Sequence, residues 1–259
     1  IQAAPQRFIF AIYGARLGEK TQVGWSIGIM SGLSEQERQV FDYFVSPIAE
    51  RRLPPGIRLV EADLAEKFGV SRGRIRRVLL ALGEAHGVRH EANRGAHVAR
   101  PSLREAREIF QSRILIERQL VTELVGRGEE ARHAATDTLL AHVERENDAK
   151  RRRARGEQIR LSGRFHVLIC EALGNKVLAE ILERLVLLSS LALATHAPTV
   201  GDQCGPDEHA EIIKAIRDGN AKVAADLIEH HLRHVEEAFE EVEDIGISYP
   251  EARRLACAV

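Results

Sequence analysis

Apolar side chains recur at helical spacing from residue 33 onward. Ser34 and Glu37 form a capping box that begins a helix, and Leu33 can serve as its hydrophobic staple. The apolar face of this helix consists of Val40, Phe41, Phe44, Val45 and Ile48. The run Leu53-Pro54-Pro55-Gly56 ends the helix.

The next forty residues predict two shorter helices and a hairpin. A short extended piece, Ile57–Val60, precedes a helix over Glu61–Phe68 that Gly69 ends, and Ser71 caps a helix to about Glu84. Two strands follow, joined by a turn signal: Val88–Glu91, then Asn93-Arg94-Gly95, then Ala96–Ala99. This order of elements is that of a winged helix-turn-helix.

After Arg100-Pro101 the pattern is helical throughout. Ser102 and Glu105 form a second capping box, and helical periodicity continues to about Val242. Five breaks divide this region into about six helices: Gly126-Arg127-Gly128, Arg155-Gly156, Gly174-Asn175, Pro198–Pro206 and Asp218-Gly219-Asn220. We therefore expect a mainly α chain, with an N-terminal winged helix-turn-helix over residues 33–100 and a C-terminal all-α helical bundle over 101–243.

The two ends of the chain lie outside these patterns. Residues 244–259 lose periodicity and are expected to form a loose tail. An N-terminal extension or tag remnant is expected over residues 1–32. Met30 is the only methionine, so residues 1–29 are either a vector remnant or upstream extension before a natural start at Met30, or an N-terminal arm of the native chain. Charged residues interrupt the apolar stretch before Met30, which therefore predicts neither a membrane span nor a signal peptide.

Composition and charge agree with a two-part cytoplasmic protein. Of 259 residues, 44% are hydrophobic and 29% charged, which is ordinary for a soluble globular chain. The chain has three cysteines, Cys170, Cys204 and Cys257, which lie far apart in the sequence. Their number and spacing favour a reduced compartment over a disulfide framework. Residues 33–100 hold 12 Lys and Arg against 9 Asp and Glu, whereas residues 101–242 hold 20 against 25. The basic excess therefore lies in the candidate nucleic-acid module.

The third predicted helix carries the strongest functional signal. Arg72, Arg74, Arg76 and Arg77 follow Ser71 without an intervening acid. In a helix-turn-helix this end of the second helix enters the major groove, where arginine binds guanine edges and phosphates. A solvated basic face is the alternative for a charge run alone, but the position after a helix, a glycine turn and a serine cap favours binding to double-stranded DNA.

Residues 34–100 resemble the GntR family of bacterial regulators. The resemblance rests on Pro55-Gly56-Ile57-Arg58-Leu59, on Asp63 to Arg72, on Arg76 and Leu79, and on Asn93-Arg94-Gly95-Ala96-His97-Val98. It implies that Ser71, Arg72, Arg74 and Arg76 face DNA, that Arg58 approaches the backbone, and that Asn93, Arg94 and Gly95 form the wing tip over the minor groove. The family commonly has Thr-Pro at Gly73-Arg74 and Glu at Arg77, and both differences bear on base preference.

Three histidines form a candidate metal site by spacing. His209 lies ten residues before the break at Gly219 and His231 twelve after it, so an antiparallel helix hairpin would place them at one level. His166 lies on an earlier predicted helix. Three neutral imidazoles suit a divalent transition metal such as zinc, nickel or manganese. With 11 histidines in the chain, chance alignment of surface or core histidines stays open.

The helical region resembles the ligand-binding FCD domain of FadR-type regulators. The resemblance rests on Phe165-His166, Gly174-Asn175, Glu208-His209, Ala215-Ile216, Asp218-Gly219, Ala224-Ala225 and His231-Leu232, together with Arg113 and Glu117. It implies a metal held by the three histidines and an aspartate one turn before the first of them. That position is Ser162 here, so water or a ligand carboxylate would complete the shell, or the pocket is metal-free.

Arg113 is the candidate anchor of an acidic effector, with Ser162 beside it. A guanidinium next to a metal can bind a carboxylate bidentately, although an intrahelical pair with Glu117 is an equally ordinary role. Cys170 is expected to be a core residue, His230 to point away, and His234 to be a spare ligand. The basic run Lys150 to Arg155 is expected to be a solvated helix end.

These signals together predict a ligand-responsive DNA-binding regulator. We expect a homodimer, because two half-sites are normally read by two-fold symmetric partners. The resemblance suggests a repressor that a small organic acid releases from its DNA operator. A regulator that responds to the metal itself is an alternative, as is a structural role for the histidines. A metal-dependent enzyme ranks lowest, since the chain has no His-Glu-x-x-His motif and no evident general base.

Overall fold

A computed structural model describes residues 32–91, 94–197 and 206–240. The predicted extension up to residue 31, Ala92 and Asn93 of the hairpin turn, residues 198–205 of the predicted break and the tail 244–259 lie outside these described residues. Within the described ranges the chain forms nine helices and three strands, which confirms the mainly α fold class.

The N-terminal unit is a winged helix-turn-helix, as predicted. Its elements are α1 (Glu35–Ala49), β1 (Arg58–Leu59), α2 (Glu61–Phe68), α3 (Arg72–Glu84), β2 (Val88–Glu91) and β3 (Gly95–Val98). The capping box of α1 is formed, since the Glu37 carboxylate accepts hydrogen bonds from the Ser34 amide (2.9 Å) and hydroxyl (2.7 Å). Gly69 ends α2 with a φ of 62°, a left-handed conformation in which a glycine has no steric cost.

The three strands form one antiparallel sheet in the order β1-β3-β2. Arg58 on β1 pairs with His97 on β3, and Glu91 on β2 pairs with Gly95. The predicted second strand, Ala96–Ala99, was wrong by one residue because Gly95 already pairs across the hairpin directly after the turn.

Among the described residues, the C-terminal unit has six helices, in agreement with the prediction of about six. They are α4 (Leu103–Gly126), α5 (Glu129–Arg151), α6 (Arg155–Ala172), α7 (Lys176–His196), α8 (Pro206–Arg217) and α9 (Ala221–Glu236). Within the ranges that the structure covers, no helix combines the length and apolarity required to cross a membrane.

Two predicted helix boundaries in this unit were wrong. Arg155-Gly156 begins α6 rather than breaking the chain, because the turn falls earlier, at Arg153 with a φ of 55°. The last helix ends at Glu236, six residues before the predicted Val242. The breaks at Gly126-Arg127-Gly128, Gly174-Asn175 and Asp218-Gly219-Asn220 fall where they were predicted.

Apolar packing joins the two units. One cluster of buried apolar side chains extends from α1 and α3 to α4, α6 and α7. At the contact, a Cβ on Gly87 would lie 3.4 Å from Leu187 on α7. His196 at the end of α7 places its Nε2 2.9 Å from the Pro101 carbonyl in the connection between the units. The winged unit therefore packs directly on the helices that carry the site described next.

Candidate metal centre and nucleic-acid interface

Three buried histidines from three helices meet in the C-terminal unit. His166 lies on α6, His209 on α8 and His231 on α9, each with no more than 2% of its surface exposed. Their ring centroids are 4.9 to 5.4 Å apart. One ligand nitrogen from each lies within 4.8 Å of the other two. The structure thus brings together all three predicted ligands.

The turn between α8 and α9 explains why His209 and His231 meet. Gly219 has a φ of 76°, and the Asn220 amide donates to the Ala215 carbonyl at 3.0 Å, which reverses the chain. The Asn220 side chain then caps α9 by accepting from the amide three residues on, at 3.1 Å. The short connection places both histidines at one level of the hairpin, as their spacing from the turn predicts.

Each histidine is also held by a carboxylate from a separate position in the bundle. The contact is made through Nδ1 in every case, which leaves Nε2 as the atom that can face an ion. The pairs are His166 with Glu117 of α4 at 2.5 Å, His209 with Glu146 of α5 at 2.8 Å, and His231 with Glu208 of α8 at 2.7 Å. Metal-binding histidines typically have this arrangement of outer carboxylates.

Burial sets the protonation states of the first pair. It lowers the pKa of His166 to about 3, so this imidazole is neutral. Burial acts to raise the pKa of Glu117, but the Arg113 guanidinium and His166 hold it at about 2. An ionised carboxylate only accepts hydrogen bonds, so Nδ1 of His166 carries the proton and Nε2 keeps its lone pair. This is the tautomer that a metal requires.

His209 and Glu146 supply the strongest sign that an ion fits here. Burial lowers the pKa of His209 well below its ordinary value and raises that of Glu146 to about 7. The His209 Nε2 is buried and has no hydrogen-bond partner among the described residues. Buried polar atoms are normally paired, so this one marks an open position for a ligand.

A small cavity lies beside the histidines. It measures about 50 Å³ and is lined by His166, His231, Arg113 and Ser162, among others. Arg113 is buried; its Nε donates to Glu117 at 2.8 Å and its Nη1 to Ser189 at 3.2 Å. Its Nη2 is buried with no hydrogen-bond partner in the described part of the chain. The intrahelical pair with Glu117 thus exists, and a further donor is left for an anion.

The remaining histidine and cysteine candidates fall outside the cavity. Cys170 is buried, with Sγ 3.5 Å from the Asn175 carbonyl, as expected of a core residue. The Nδ1 of His234 lies 3.0 Å from the Oε1 of Glu208. His234 therefore contacts an outer carboxylate rather than the histidine cluster itself. In the basic run, Arg151 and Arg152 bind Asp148 at 3.3 and 2.6 Å and are exposed, which fits a solvated helix end.

The predicted recognition helix presents its basic face to solvent. Ser71, Arg72, Arg74 and Arg76 are exposed, whereas the opposite face of α3 is buried through Ile75, Val78, Leu79, Ala81 and Leu82. The Ser71 side chain accepts from the Arg74 amide, which fixes the start of the helix. Without DNA, Arg76 binds Glu61 on α2 through two hydrogen bonds of 2.9 and 2.8 Å.

Two further arginines of α3 contact α1. Arg74 donates to Gln36 and Arg77 to the buried carboxylate of Glu37. Arg77, at a position where the family commonly has glutamate, is thereby tied to the capping box of α1. Its charge is partly neutralised, so it supports the fold of the unit more directly than the exposed arginines do.

The wing residues lie at one end of the sheet. Arg58 is exposed on β1, and a Cβ on Gly95 would lie 3.9 Å from its Nε. Arg94 is exposed and its Nη1 lies 3.4 Å from Glu91. Asn93 lies outside the described residues. The guanidinium of Arg58 thus lies next to the wing tip, on a solvent-facing edge.

Sequence reasoning missed several residues of the site. Glu146 shares a face of α5 with Leu139 and Val143, and an acid on an apolar stripe is the signal that could have identified it. Glu208 was noted only as a neighbour of His209. Arg51, at the end of α1, lines the same cavity as Arg113 and had no local signal at all.

Two family models match the chain. The model described as "Bacterial regulatory proteins, gntR family" matches residues 36–98, and the FCD domain model matches residues 108–234. Together they cover the winged unit and the six-helix unit.

Individual proteins agree with the family models. The uncharacterized HTH-type transcriptional regulator YdhC of Bacillus subtilis (strain 168) is 26% identical over 76% of this chain and 87% of its own length. BphR of Paraburkholderia xenovorans (strain LB400), also described as an HTH-type transcriptional regulator, is 34% identical over 34% of this chain and 36% of its own.

Solved structures share the fold. A GntR transcriptional regulator from Rhodococcus sp. RHA1 aligns over 79% of this chain and 97% of its own, with a TM-score of 0.66 and 20% identity. E. coli McbR/YncC aligns over 78% of this chain and 95% of its own length, with a TM-score of 0.66 and 17% identity.

Proposed function

Because this chain belongs to the GntR family of bacterial regulators and carries the FCD domain of its FadR-like group, we propose that it is a repressor that a small carboxylate releases from DNA. Its family makes it a DNA-binding transcriptional regulator. Beyond the family assignment, we propose that it represses transcription, that its effector is a small carboxylate and that it binds a metal. One observation carries these proposals: three carboxylate-supported histidines lie together, and two of them, His166 and His231, line one cavity with the buried Arg113.

The effector is proposed to be a small organic acid. The lining residues of the cavity offer the Arg113 guanidinium and two imidazoles, and its volume of about 50 Å³ admits only a few water-sized groups. A buried guanidinium binds a carboxylate with two parallel hydrogen bonds. Ser162 stands where the metal-binding relatives place an aspartate, so a carboxylate of the effector would supply the charge that this position lacks.

The metal is proposed to be zinc, nickel or manganese, held by His166, His209 and His231. When bound, it supplies Lewis-acid attraction for an effector carboxylate. The chain's own contribution is to orient each imidazole through a contact between its Nδ1 and an outer carboxylate. The site then binds and orients a ligand rather than turning it over, in line with a family of regulators.

DNA contacts are proposed for the exposed residues of the winged unit. We expect α3 to enter the major groove with Ser71, Arg72, Arg74 and Arg76. Arg76 would release its hydrogen bonds to Glu61 and contact DNA instead. Arg58 would contact the backbone, and Asn93, Arg94 and Gly95 the minor groove. The exposure of α3 and the position of Arg58 beside Gly95 support this assignment.

A homodimer is the proposed form on DNA. An apolar strip lies on the outer surface of α4 and α7. In this strip Leu115 is 75% exposed and Ile181 is 41% exposed, and Leu185 and Leu188 are half-buried. Monomeric proteins rarely leave such strips in water. A second copy of this chain is the occupant that the two-fold symmetry of paired DNA half-sites requires.

Metal content is the first property to measure. We expect about one equivalent of zinc, nickel or manganese per chain in purified protein, and a melting temperature that falls on chelation and recovers when metal is restored. Protein that contains no metal, and whose melting temperature does not respond to added metal, would contradict the metal part of the proposal.

DNA binding is tested with duplexes that the protein itself selects from a random library. We expect Arg72→Ala to weaken binding and to reduce the salt slope by about 1, since one phosphate or base contact is lost. Arg104→Ala removes an equally exposed arginine from α4 and serves as the control. Equal losses in both variants would contradict the assignment of α3.

A metal-responsive regulator is the second candidate. The unpartnered Nε2 of His209 favours it, since the ion alone would satisfy that atom. DNA affinity that changes with metal in the absence of any organic acid would support this reading over the carboxylate proposal.

A further inference from the structure

Two polar side chains of the cavity lack hydrogen-bond partners among the described residues. Gln158 on α6 and Ser190 on α7 both line the cavity beside the histidines, with only 7% and 8% of their surfaces exposed. Neither the Gln158 amide group nor the Ser190 hydroxyl forms a hydrogen bond within the described ranges. Buried polar groups normally have such partners, so these two mark a place for a polar group of a ligand.

The two side chains lie at one level of the cavity. A short turn at Gly174 joins α6 to α7, which return along each other. Their close contact at Gly163, where a Cβ would lie 2.7 Å from Val186 Cγ1, sets the register of the pair. Gln158 lies five residues before Gly163 and Ser190 four after Val186, so a rise of about 1.5 Å per residue places them at nearly the same height. One small polar group can therefore contact both.

The proposed binding place of the effector carboxylate is close to this level. Arg113 donates from Nη1 to Ser189, the residue directly before Ser190, at 3.2 Å. Ser162 lies one turn after Gln158 on the same face of α6, about 6 Å along the helix. A carboxylate bound beside Ser162 and Arg113 thus leaves room for only a few atoms before Gln158 and Ser190, which agrees with a cavity of about 50 Å³.

Hydrogen-bonding chemistry selects a hydroxyl group for this position. The glutamine amide and the serine hydroxyl each offer both donors and acceptors, and neither carries a charge. A ligand hydroxyl also donates and accepts, so it pairs with both, whereas a methyl group leaves them unpaired in a buried place. We infer that Gln158 and Ser190 determine effector specificity by binding a hydroxyl group, so that the effector is a short hydroxy acid. This inference rests on the proposed carboxylate effector.

Binding of matched acids to full-length, zinc-loaded protein tests the inference. Propionate, 2-hydroxypropionate and 3-hydroxypropionate are titrated by calorimetry into the wild type, Gln158→Met, Ser190→Ala and Gln111→Met. In the wild type at least one hydroxy acid should bind about tenfold more tightly than propionate, because without a hydroxyl the buried polar groups stay unpaired. Gln158→Met and Ser190→Ala should reduce this ratio towards one and leave the affinity for propionate nearly unchanged.

The matched control is Gln111→Met, which changes an exposed glutamine of α4 outside the cavity. It should keep the wild-type ratio between the hydroxy acid and propionate.

Thermal melting without ligand separates recognition of an effector from a structural role. Removal of a buried polar group that has no partner does not cost stability, whereas loss of a hydrogen bond that holds the fold does. We therefore expect Gln158→Met to melt at or above the wild-type temperature. A variant that melts below the wild type and keeps the wild-type ratio would show that Gln158 has a structural role instead, and would overturn the inference.

The failure of this inference differs from the failure of the proposed function. Hydroxy acids that bind wild-type protein no more tightly than propionate would overturn the inference and leave the carboxylate effector standing. The same conclusion would follow if Gln158→Met and Ser190→Ala both kept the wild-type ratio. Wild-type protein that binds none of the three acids would overturn both.

Discussion

At the scale of single residues, the geometry of the three histidines depends on carboxylates that lie outside the histidine cluster itself. Glu117, Glu146 and Glu208 each hold the Nδ1 of one histidine, and thereby decide which nitrogen can act as a ligand. Glu146 differs from the other two, since burial raises its pKa to about 7 rather than leaving it fully ionised. It is the outer carboxylate on which metal binding should depend most visibly.

Glu146→Gln should weaken metal binding. Loss of an outer carboxylate typically lowers metal affinity by about 10- to 100-fold, because the imidazole becomes less basic and less well oriented. Competition with a chelator of known affinity measures the change. The control is Glu144→Gln, an exposed residue on the same helix. Equal metal affinities of the two variants would show that Glu146 has no such role.

The stability of the folded protein at low pH depends in part on the carboxylate of Glu37. Hydrogen bonds from Ser34 and the charge of Arg77 lower its pKa below the ordinary 4.5, against the effect of burial. A carboxylate with a depressed pKa in the folded state stabilises the fold above its unfolded pKa, and this contribution disappears as the pH falls through the folded value.

Glu37→Gln should therefore cost about 1 kcal/mol at neutral pH, because glutamine can still form the capping box but loses the ion pair with Arg77. The difference from the wild type should shrink below about pH 4.5, since protonation removes the same interaction. Urea unfolding at several pH values measures it. Glu35→Gln, whose side chain is 78% exposed, is the control and should stay within about 0.5 kcal/mol of the wild type. A difference that does not change with pH would contradict the assignment.

At the scale of elements, the helices of the site are held in register by close packing. Gly163 on α6 faces α7, and a Cβ there would lie only 2.7 Å from Val186 Cγ1. The same glycine and the same valine line the effector cavity. Absence of a side chain at this point allows the helix that carries His166 to approach the helix that carries Ser189.

Gly163→Ala should destabilise the protein by about 1–3 kcal/mol, because the packed neighbours must shift. Gly126→Ala is the matched control, since that glycine also lies in a helix and has no atom within 4 Å of the added methyl. There the change should stabilise by up to about 1 kcal/mol through helix propensity. Thermal melting compares them, and adding Val186→Ala to Gly163→Ala should recover part of the loss. Equal melting temperatures of Gly163→Ala and Gly126→Ala would contradict this account.

At the scale of the whole molecule, the apolar strip on α4 and α7 is a surface that the described residues leave uncovered. It lies on the outer side of the two helices that, on their inner sides, present Arg113 and Ser189 to the cavity. A dimer formed through this strip would place both effector cavities next to the interface.

Leu115→Glu should convert the proposed dimer into a monomer, because a charge cannot be buried in an apolar interface without a partner. Sedimentation equilibrium measures the molecular mass in solution. Leu140→Glu changes an exposed leucine on α5, away from the strip, and should leave the dimer intact. A wild type that is monomeric at micromolar concentration would contradict the proposal.

The sequence by itself determined the elements and the order in which they occur. Capping boxes, glycine turns and apolar periodicity are local signals, so they predicted α1 to α3, the hairpin and six further helices. The family motifs lie in the same local segments. His209 and His231 could be paired from sequence because one short turn joins their helices, and helix geometry then sets their level.

Only the tertiary structure decided which distant side chains share the site. Glu146 and Arg51 reach it from α5 and from the end of α1, and no spacing rule connects those positions to the histidines. Arg77 likewise looked like part of the basic face until its contact with Glu37 appeared. The physical reason is that packing between helices far apart in the chain sets burial and charge pairing, and local periodicity carries no information about that packing.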